Sequence, residues 1–354
     1  MDNENNEDEI FEKIPSEEED KESDVASYKI ISYGADYTLK GLSDKYADKE
    51  IIAPPFQRKY VWPAKKASKL VESFLLGLPV PQIFLYKEEE TQDLLVVDGQ
   101  QRLKTIYYFL QGKFPDNTDF YLRSVKPKWE GKKFDALTEP DKRRFKDSVL
   151  RATIFQQTDP EDNSSIFEIF ERLNTGGMAL KEQEIRNCIV RGEINRFLKE
   201  LNEYQNWRTL YGKTEPDARM RDEEMILRFI ALYENIEGYS KPMKEFLTNY
   251  MRLHKTISQS DKDRLSTLFK KTMDLILSSI GSSAFKIKAG INVAVFDSIS
   301  VALARIDNQN IDNLSEKHET LLINPSYLEC VSKATTDREK VRRRIDIAIE
   351  AFST

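Results

Sequence analysis

Two patterns of apolar and polar positions divide the chain. From residue 37 to about 155, strand-length apolar runs alternate with amphipathic stretches. Ala67, Leu70, Val71, Phe74 and Leu75 recur at helical spacing behind Pro63, which suits a first helical turn, and Gly77 is placed to end that helix. Pro81–Tyr86 reads as a strand, Lys87–Asp93 as a polar turn and Leu94–Val97 as a second strand. A helix then runs from Asp98-Gly99 to about Leu110, with Gly112 closing it. Tyr37–Ala47 reads as a short helix, Ile51–Pro55 as a brief extended piece and Leu150–Phe155 as a further β run. Past Phe155 the strand signals nearly vanish. Ser164–Leu173, Lys181–Val190, Asp222–Tyr233, Lys241–Ile257, Asp261–Ile280, Asn292–Ile306 and Asp337–Phe352 all carry helical periodicity. The expected fold class is α+β: a small α/β domain followed by a mostly α-helical domain.

The first 26 residues fit neither pattern. Residues 1–24 hold twelve acids against Lys13 and Lys21, a balance of −10, with few large apolar residues after Phe11. Such a segment buries too little surface to offset its ordering entropy. It is expected to be a disordered, solubilising tail, with competition for a basic groove as the less favoured role. The expected domains are therefore 1–26, 27–190 and 191–354.

Splitting off the tail changes the charge picture. The whole chain carries −6, but the other 330 residues hold 52 bases and 48 acids, or +4. Arg123–Arg151 alone holds ten bases and five acids, with Tyr121, Trp129 and Phe134 in or beside it. Basic groups neutralise backbone phosphates and aromatic rings stack on bases, so Lys132, Lys133, Lys142, Arg143 and Arg144 are the candidate nucleic-acid contacts. A second basic run, Arg338–Arg344, is balanced in part by Glu339 and Asp346 and reads as a solvated helix face. No apolar run approaches the ~20 residues of a membrane helix. The acidic N-terminus argues against a secretory or transit signal. Two distant cysteines, Cys188 and Cys330, argue against a disulfide scaffold or a cysteine zinc site and fit a reducing, cytoplasmic setting.

The sharpest chemical feature is Val96-Val97-Asp98-Gly99-Gln100-Gln101-Arg102. A buried strand, a tight glycine turn and a helix start together put free N–H groups and the positive end of a helix dipole at one point, which suits phosphate. Gly99 lets a ligand approach the main chain, Arg102 suits a bidentate phosphate clamp, and Asp98 suits Mg²⁺. The same residues also fit a plain structural turn with Asp98 as the helix cap. Gln57 and Arg58 lie between rigid prolines and an aromatic cluster formed by Phe56, Tyr60 and Trp62. Asn174-Thr175-Gly176-Gly177 follows a helical run ending at Arg172-Leu173, a turn that suits either a phosphate cradle or a simple helix–helix connection. Gly212-Lys213-Thr214 lacks the preceding strand and glycine of a P-loop, and HExxH, GxSxG and GxGxxG are missing from the sequence.

Taken in order, Gln-Arg-x-Tyr-x-Trp, Leu-Pro-Val-Pro before a strand, Val-Asp-Gly-Gln-Gln-Arg, and Phe-Glu-Arg-Leu-Asn-Thr-Gly-Gly followed by Glu-Ile-Arg-Asn closely resemble the bacterial GmrSD-type domain family. The resemblance spans about Tyr37 to Asn187. It implies a ParB/sulfiredoxin-like fold and a place among systems that restrict modified or phage DNA (GmrSD, SspE and BrxU types). It also implies binding and hydrolysis of a nucleoside triphosphate with Mg²⁺, coupled to DNA sensing. Carried over residue by residue, the catalytic group is Asp98, Gln100, Gln101 and Arg102, with Asp98 as metal ligand. The nucleotide-binding group is Gln57, Arg58, Gly99, Arg172, Asn174, Thr175 and Gly176. Arg58, Asp98, Arg102 and Asn174 are then expected to converge on one pocket.

Two-part relatives append a nuclease of the HNH class. His254 and His318 stand in no such setting and read as surface histidines on helices. A separately encoded nuclease is the expected partner, beside nucleotide, DNA and, as an open matter, further copies of the chain. The rival expectations are a non-hydrolytic module that recruits a nuclease on binding nucleotide or DNA, and an interaction protein with a decayed site.

Overall fold

The computed structural model describes residues 11–12, 29–53, 60–88, 91–159, 169, 172, 181–306 and 312–353. The chain divides into two compact units, Ser27–Leu180 and Met1–Ala26 with Lys181–Thr354.

The first unit is built on a mixed five-stranded sheet. Its strands are β1 (Lys29–Thr38), β2 (Ile51–Ile52), β3 (Ile83–Lys87), β4 (Leu94–Asp98) and β5 (Val149–Asp159). They lie in the order β1-β5-β3-β4-β2. β5 pairs antiparallel with β1 and parallel with β3, and β4 pairs antiparallel with β3 and parallel with β2. Its helices are α1 (Leu39–Ala47), α2 (Ala64–Leu76), α3 (Gln100–Gln111) and α4 (Glu139–Asp147). In β5 the alternation is regular: Leu150, Ala152 and Ile154 enter the core. The centre of that core is aromatic. Phe109 on α3 meets Phe120, Phe134 and Phe145 with ring centroids 5.2, 5.7 and 5.1 Å away, all edge to face.

In this unit β1 and α4 went unseen in the sequence pattern. β1 occupies the sheet edge, and most of its residues are exposed, so it shows little apolar alternation. α4 has a single buried residue, Phe145, among charges. Thr138 starts α4 by accepting the Asp141 N–H on its hydroxyl, and Pro140 sits in the first turn.

The second unit is helical among its described residues. It comprises α5 (Glu182–Ile189), α6 (Glu193–Asn202), α7 (Gln205–Tyr211), α8 (Arg221–Asn235), α9 (Met243–Leu253), α10 (Gln259–Ser279), α11 (Val293–Arg305), α12 (Leu314–Ile323), α13 (Pro325–Ser332) and α14 (Arg338–Ser353). α11 is the central helix: Ala294 through Leu303 are all buried, and it packs on α8, α10 and α14. Asn292 caps it by accepting the Ala294 and Val295 N–H groups. The expected helix over Ser164–Leu173 lies largely outside the described residues.

Charges are buried in this unit in ion-pair and hydrogen-bond networks. Asp297 on α11 accepts Arg228 Nε at 3.0 Å and Nη2 at 2.5 Å, and Arg344 Nη2 at 2.7 Å. The basic run on α14 is thus not wholly a solvated face: Arg344 is fully buried in the core. Asn187 on α5 forms a second hub. Its Oδ1 accepts from Gln183 and Asn195 at 3.0 Å each, and its Nδ2 donates to Glu223 at 3.2 Å.

Burial is the main force that pushes the Glu223 carboxyl up to about 7, with the adjacent Asp222 adding to it. The folded state therefore holds this proton more tightly than the unfolded state, whose carboxyl has its ordinary value of 4.5. Stability contributed by the neutral group is present at low pH and is lost as pH rises through about 7. Glu223→Gln is expected to raise stability by about 2–3 kcal/mol near pH ~8 and to change it little near pH ~5. Denaturant titrations at the two pH values check this; a pH-independent difference would rule it out.

The histidines are engaged in structure. His318 is buried, contrary to its reading as a surface residue, because the inner face of α12 carries it. Its Nε2–H donates to the Ala284 carbonyl at 2.8 Å, and burial holds its pKa down. His254 caps α9 and stacks on Tyr250 at 4.1 Å. Cys188 and Cys330 are buried free thiols. No described helix is long and apolar enough to cross a membrane.

Candidate functional site

The site candidate sits where β4 turns into α3. β4 is buried on both faces through Leu95, Val96 and Val97, so the strand must emerge at Asp98. Gly99 then takes the left-handed conformation, φ 97°, and is the N-cap of α3. A side chain there fails twice: the backbone disfavours it, and a Cβ would lie 2.3 Å from Ile83 Cγ2. Gly99 supplies no side-chain cap, and the first turn of α3 has no acidic residue. This is the uncapped helix start that the sequence pattern anticipates. Asp98 does not serve as the cap.

Asp98 and Arg102 instead engage each other. Arg102 Nη2 donates to Asp98 Oδ2 at 2.7 Å and to the Gln82 carbonyl at 3.0 Å. The guanidinium thus bridges the start of β3 and the end of β4. Its Nε is buried and has no acceptor among the described residues. The pair sits at the surface of the unit, with Asp98 36% exposed and Arg102 18%. Gln82 is held in turn, its Oε1 accepting the Thr153 hydroxyl at 3.2 Å.

Gln100 is buried, whereas Gln101 turns to the loop. Gln101 Oε1 accepts the Val61 N–H at 3.1 Å, and the Tyr60 hydroxyl meets Thr105 Oγ1 at 2.9 Å. These two contacts fasten Tyr60 and Val61 to the first turns of α3. Gln57 and Arg58 themselves lie outside the described residues, as do Asn174, Thr175 and Gly176. Arg172 is described as an exposed helical residue. The expected convergence of Arg58 and Asn174 on Asp98 and Arg102 falls outside the described residues as well.

Several supporting residues escaped sequence reading. Gln82, Ile83 and Thr105 act through the strand and helix that hold the turn. Their signal was only their position beside the turn. Lys104, in the second turn of α3, has its pKa lowered by burial. Among the described residues no three His, Cys, Asp or Glu side chains group so as to hold a metal ion.

The basic stretch is more tightly knit than its composition suggests. Lys133 pairs with Asp119 at 2.7 Å and Lys142 with Glu139 at 2.9 Å. Arg144 Nη1 donates to the Leu75 carbonyl at 3.2 Å, closing the end of α2. Glu72 on α2 anchors the loop by accepting the Lys126 N–H at 2.6 Å. Trp129 and Phe134 are buried, and Trp129 Nε1 donates to Asp141 at 2.9 Å, so neither ring is placed for stacking on bases. Tyr121 is 40% exposed, Arg143 is exposed and Lys132 is half-buried.

Glu184, Arg186 and Asn187 of the Glu-Ile-Arg-Asn segment lie on α5, in the helical unit. Glu184 accepts the Lys181 N–H at 2.6 Å and Arg219 at 2.9 Å, and Arg186 is fully buried. These residues order the start of that unit.

No curated protein is similar enough to the chain to match it. Residues 39–191 match the family described as GmrSD restriction endonuclease, N-terminal domain. The matched stretch runs from α1 through α5 and includes the Asp98–Arg102 turn, so this part of the chain is similar to a GmrSD-type N-terminal domain.

Proposed function

We propose that the chain is the nucleotide-binding and nucleotide-hydrolysing sensor of a bacterial restriction system directed at phage or modified DNA, acting with a nuclease on a separate chain. The match to the N-terminal domain of a restriction endonuclease supports the system. The observation that carries the nucleotide reading is the turn from β4 through Gly99 into an uncapped α3, with Arg102 beside it. The N–H groups of such a turn and the α3 dipole suit a polyphosphate.

In this reading a polyphosphate competes with Asp98 for Arg102. The buried, unpartnered Nε of Arg102 then gains an acceptor. Released from the ion pair, the Asp98 carboxylate would be the group that holds Mg²⁺. The ion, when bound, neutralises charge that builds on the phosphates. Gln100 and Gln101 are assigned to water or base orientation, and Gln57, Arg58, Arg172, Asn174, Thr175 and Gly176 to nucleotide contacts. Catalysis of this kind consists of positioning and charge stabilisation. DNA contact is assigned to Lys132, Lys133, Lys142, Arg143 and Arg144.

The 2.7 Å Asp98–Arg102 pair also favours a second reading. Both charges are already neutralised, as suits a module that binds nucleotide or DNA without hydrolysis. A panel of four nucleoside triphosphates with Mg²⁺, with and without DNA, separates the two. Phosphate release above background, stimulated by DNA, is the expected result. Binding of nucleotide or DNA without release selects the second reading, and binding of neither refutes both.

A further inference from the structure

The acidic N-terminal segment contains one aromatic residue, Phe11, with acids on both sides of it. Composition marks the segment as an unstructured tail, yet Phe11 and Glu12 are placed against the helical unit. The Phe11 ring stands edge to face with Tyr211, centroids 6.0 Å apart. The Arg221 guanidinium lies over the same ring at 4.8 Å. Phe11 forms a parallel bridge with Ile291, and the Glu12 N–H donates to the Ile291 carbonyl at 2.9 Å. Asn292 Nδ2 donates to the Glu12 carboxylate at 2.9 Å.

The receiving surface is held in place by groups other than the segment. Asp217 accepts the Tyr211 hydroxyl at 2.8 Å and Arg221 Nη2 at 2.9 Å, which fixes the ring and the guanidinium. Asn292 is buried, caps α11 with its Oδ1 and donates from Nδ2 to the Val331 carbonyl at 3.1 Å. The other hydrogen of that amide goes to Glu12. Without the segment, a buried amide and a backbone carbonyl each lose a partner.

We propose that Tyr211, Arg221, Ile291 and Asn292 form a docking site for an aromatic–acidic peptide, and that its occupant is this chain's own Phe11–Glu12 segment, held reversibly. One ring, one backbone hydrogen bond and one carboxylate contact make a small interface, so occupancy relies on the covalent tether. A covalent tether of this kind supplies an effective concentration on the order of millimolar.

The test uses the full-length chain and a fluorescent peptide spanning residues 5–18. Phe11→Ala in the chain empties the cradle without touching the core, and circular dichroism checks the fold. The peptide is expected to bind the Phe11→Ala chain at least ~10-fold more tightly than the wild type, where the tethered segment competes. A peptide carrying Phe11→Ala is expected to lose that binding. Equal binding to both chains, binding to neither, or binding indifferent to Phe11 overturns the proposal. A wild-type dimer that the Phe11→Ala substitution dissolves places a second copy's segment in the cradle and overturns the assignment to the same chain.

Discussion

Replacing Asp297 by alanine is expected to destabilise the helical unit by more than about 3–5 kcal/mol, enough to bring it near unfolding at ordinary temperature. Asp297 is fully buried and is the shared carboxylate of Arg228 and Arg344, both themselves buried. Its removal leaves two guanidiniums facing each other in the core with no counter-charge between them. Arg344 Nε already lacks a partner, and its Nη1 is committed to the Thr335 carbonyl, so the network has no spare acceptor. Asp297→Asn keeps the shape and one acceptor oxygen but not the charge, and should fall between wild type and alanine. Replacing Asp297, Arg228 and Arg344 together by apolar residues of similar volume should recover most of the loss, since the penalty is one of unpaired charge. Denaturant unfolding followed by far-UV circular dichroism measures all three. An Asp297→Ala chain with unaltered stability would show that the ion cluster does not hold α8, α11 and α14 together.

Arg102→Ala is expected to lower phosphate release by about 10²–10³-fold, the range for removing one preorganised group that stabilises transition-state charge. Its effect on the fold should be small, because the pair it breaks lies partly in solvent, with Asp98 36% exposed. Arg102→Lys keeps the charge but loses the planar fork that bridges Asp98 and the Gln82 carbonyl, and should not restore the rate. Asp98→Asn should match the loss in turnover while weakening Mg²⁺-dependent binding less than Arg102→Ala weakens triphosphate binding. Steady-state phosphate release and equilibrium binding, measured side by side on variants of unchanged melting temperature, separate these effects. Turnover unaffected by either substitution would mean that the phosphate chemistry, if present, is located elsewhere.

Much of the α/β unit is readable from the chain without coordinates. Helical spacing from Ala67 to Leu75 and the stop at Gly77 place α2 within a few residues, and β3, β4 and α3 follow from short apolar runs punctuated by glycine. Elements whose stability comes from neighbours were harder to read. β1 is an exposed edge strand recognisable only by its pairing with β5. The short helices α7, α12 and α13 bury too few residues for periodicity to stand out, whereas α6 carries a readable stripe at Ile194, Phe197, Leu198 and Leu201 that the sequence reading passed over. In the site, the Asp98–Arg102 segment was legible because strand, glycine and helix start are local signals. The Gln82 carbonyl that holds Arg102 and the Ile83 methyl that requires Gly99 are not, since both come from a different strand.

By itself, then, the sequence determined local matters: a strand–glycine–helix turn bearing Asp98 and Arg102, an α/β stretch ahead of a helical one, and a likeness to the GmrSD-type domain carried by four ordered motifs. Only the tertiary structure decided which charges are free. It paired Asp98 with Arg102, sank Arg344 and His318 into the core, turned Trp129 and Phe134 away from solvent, and seated Phe11 on Tyr211 and Arg221. The physical reason is range. Turns and caps depend on neighbours a few positions away, whereas burial and ion pairing depend on residues that only folding brings together, such as Arg228 and Asp297, 69 positions apart.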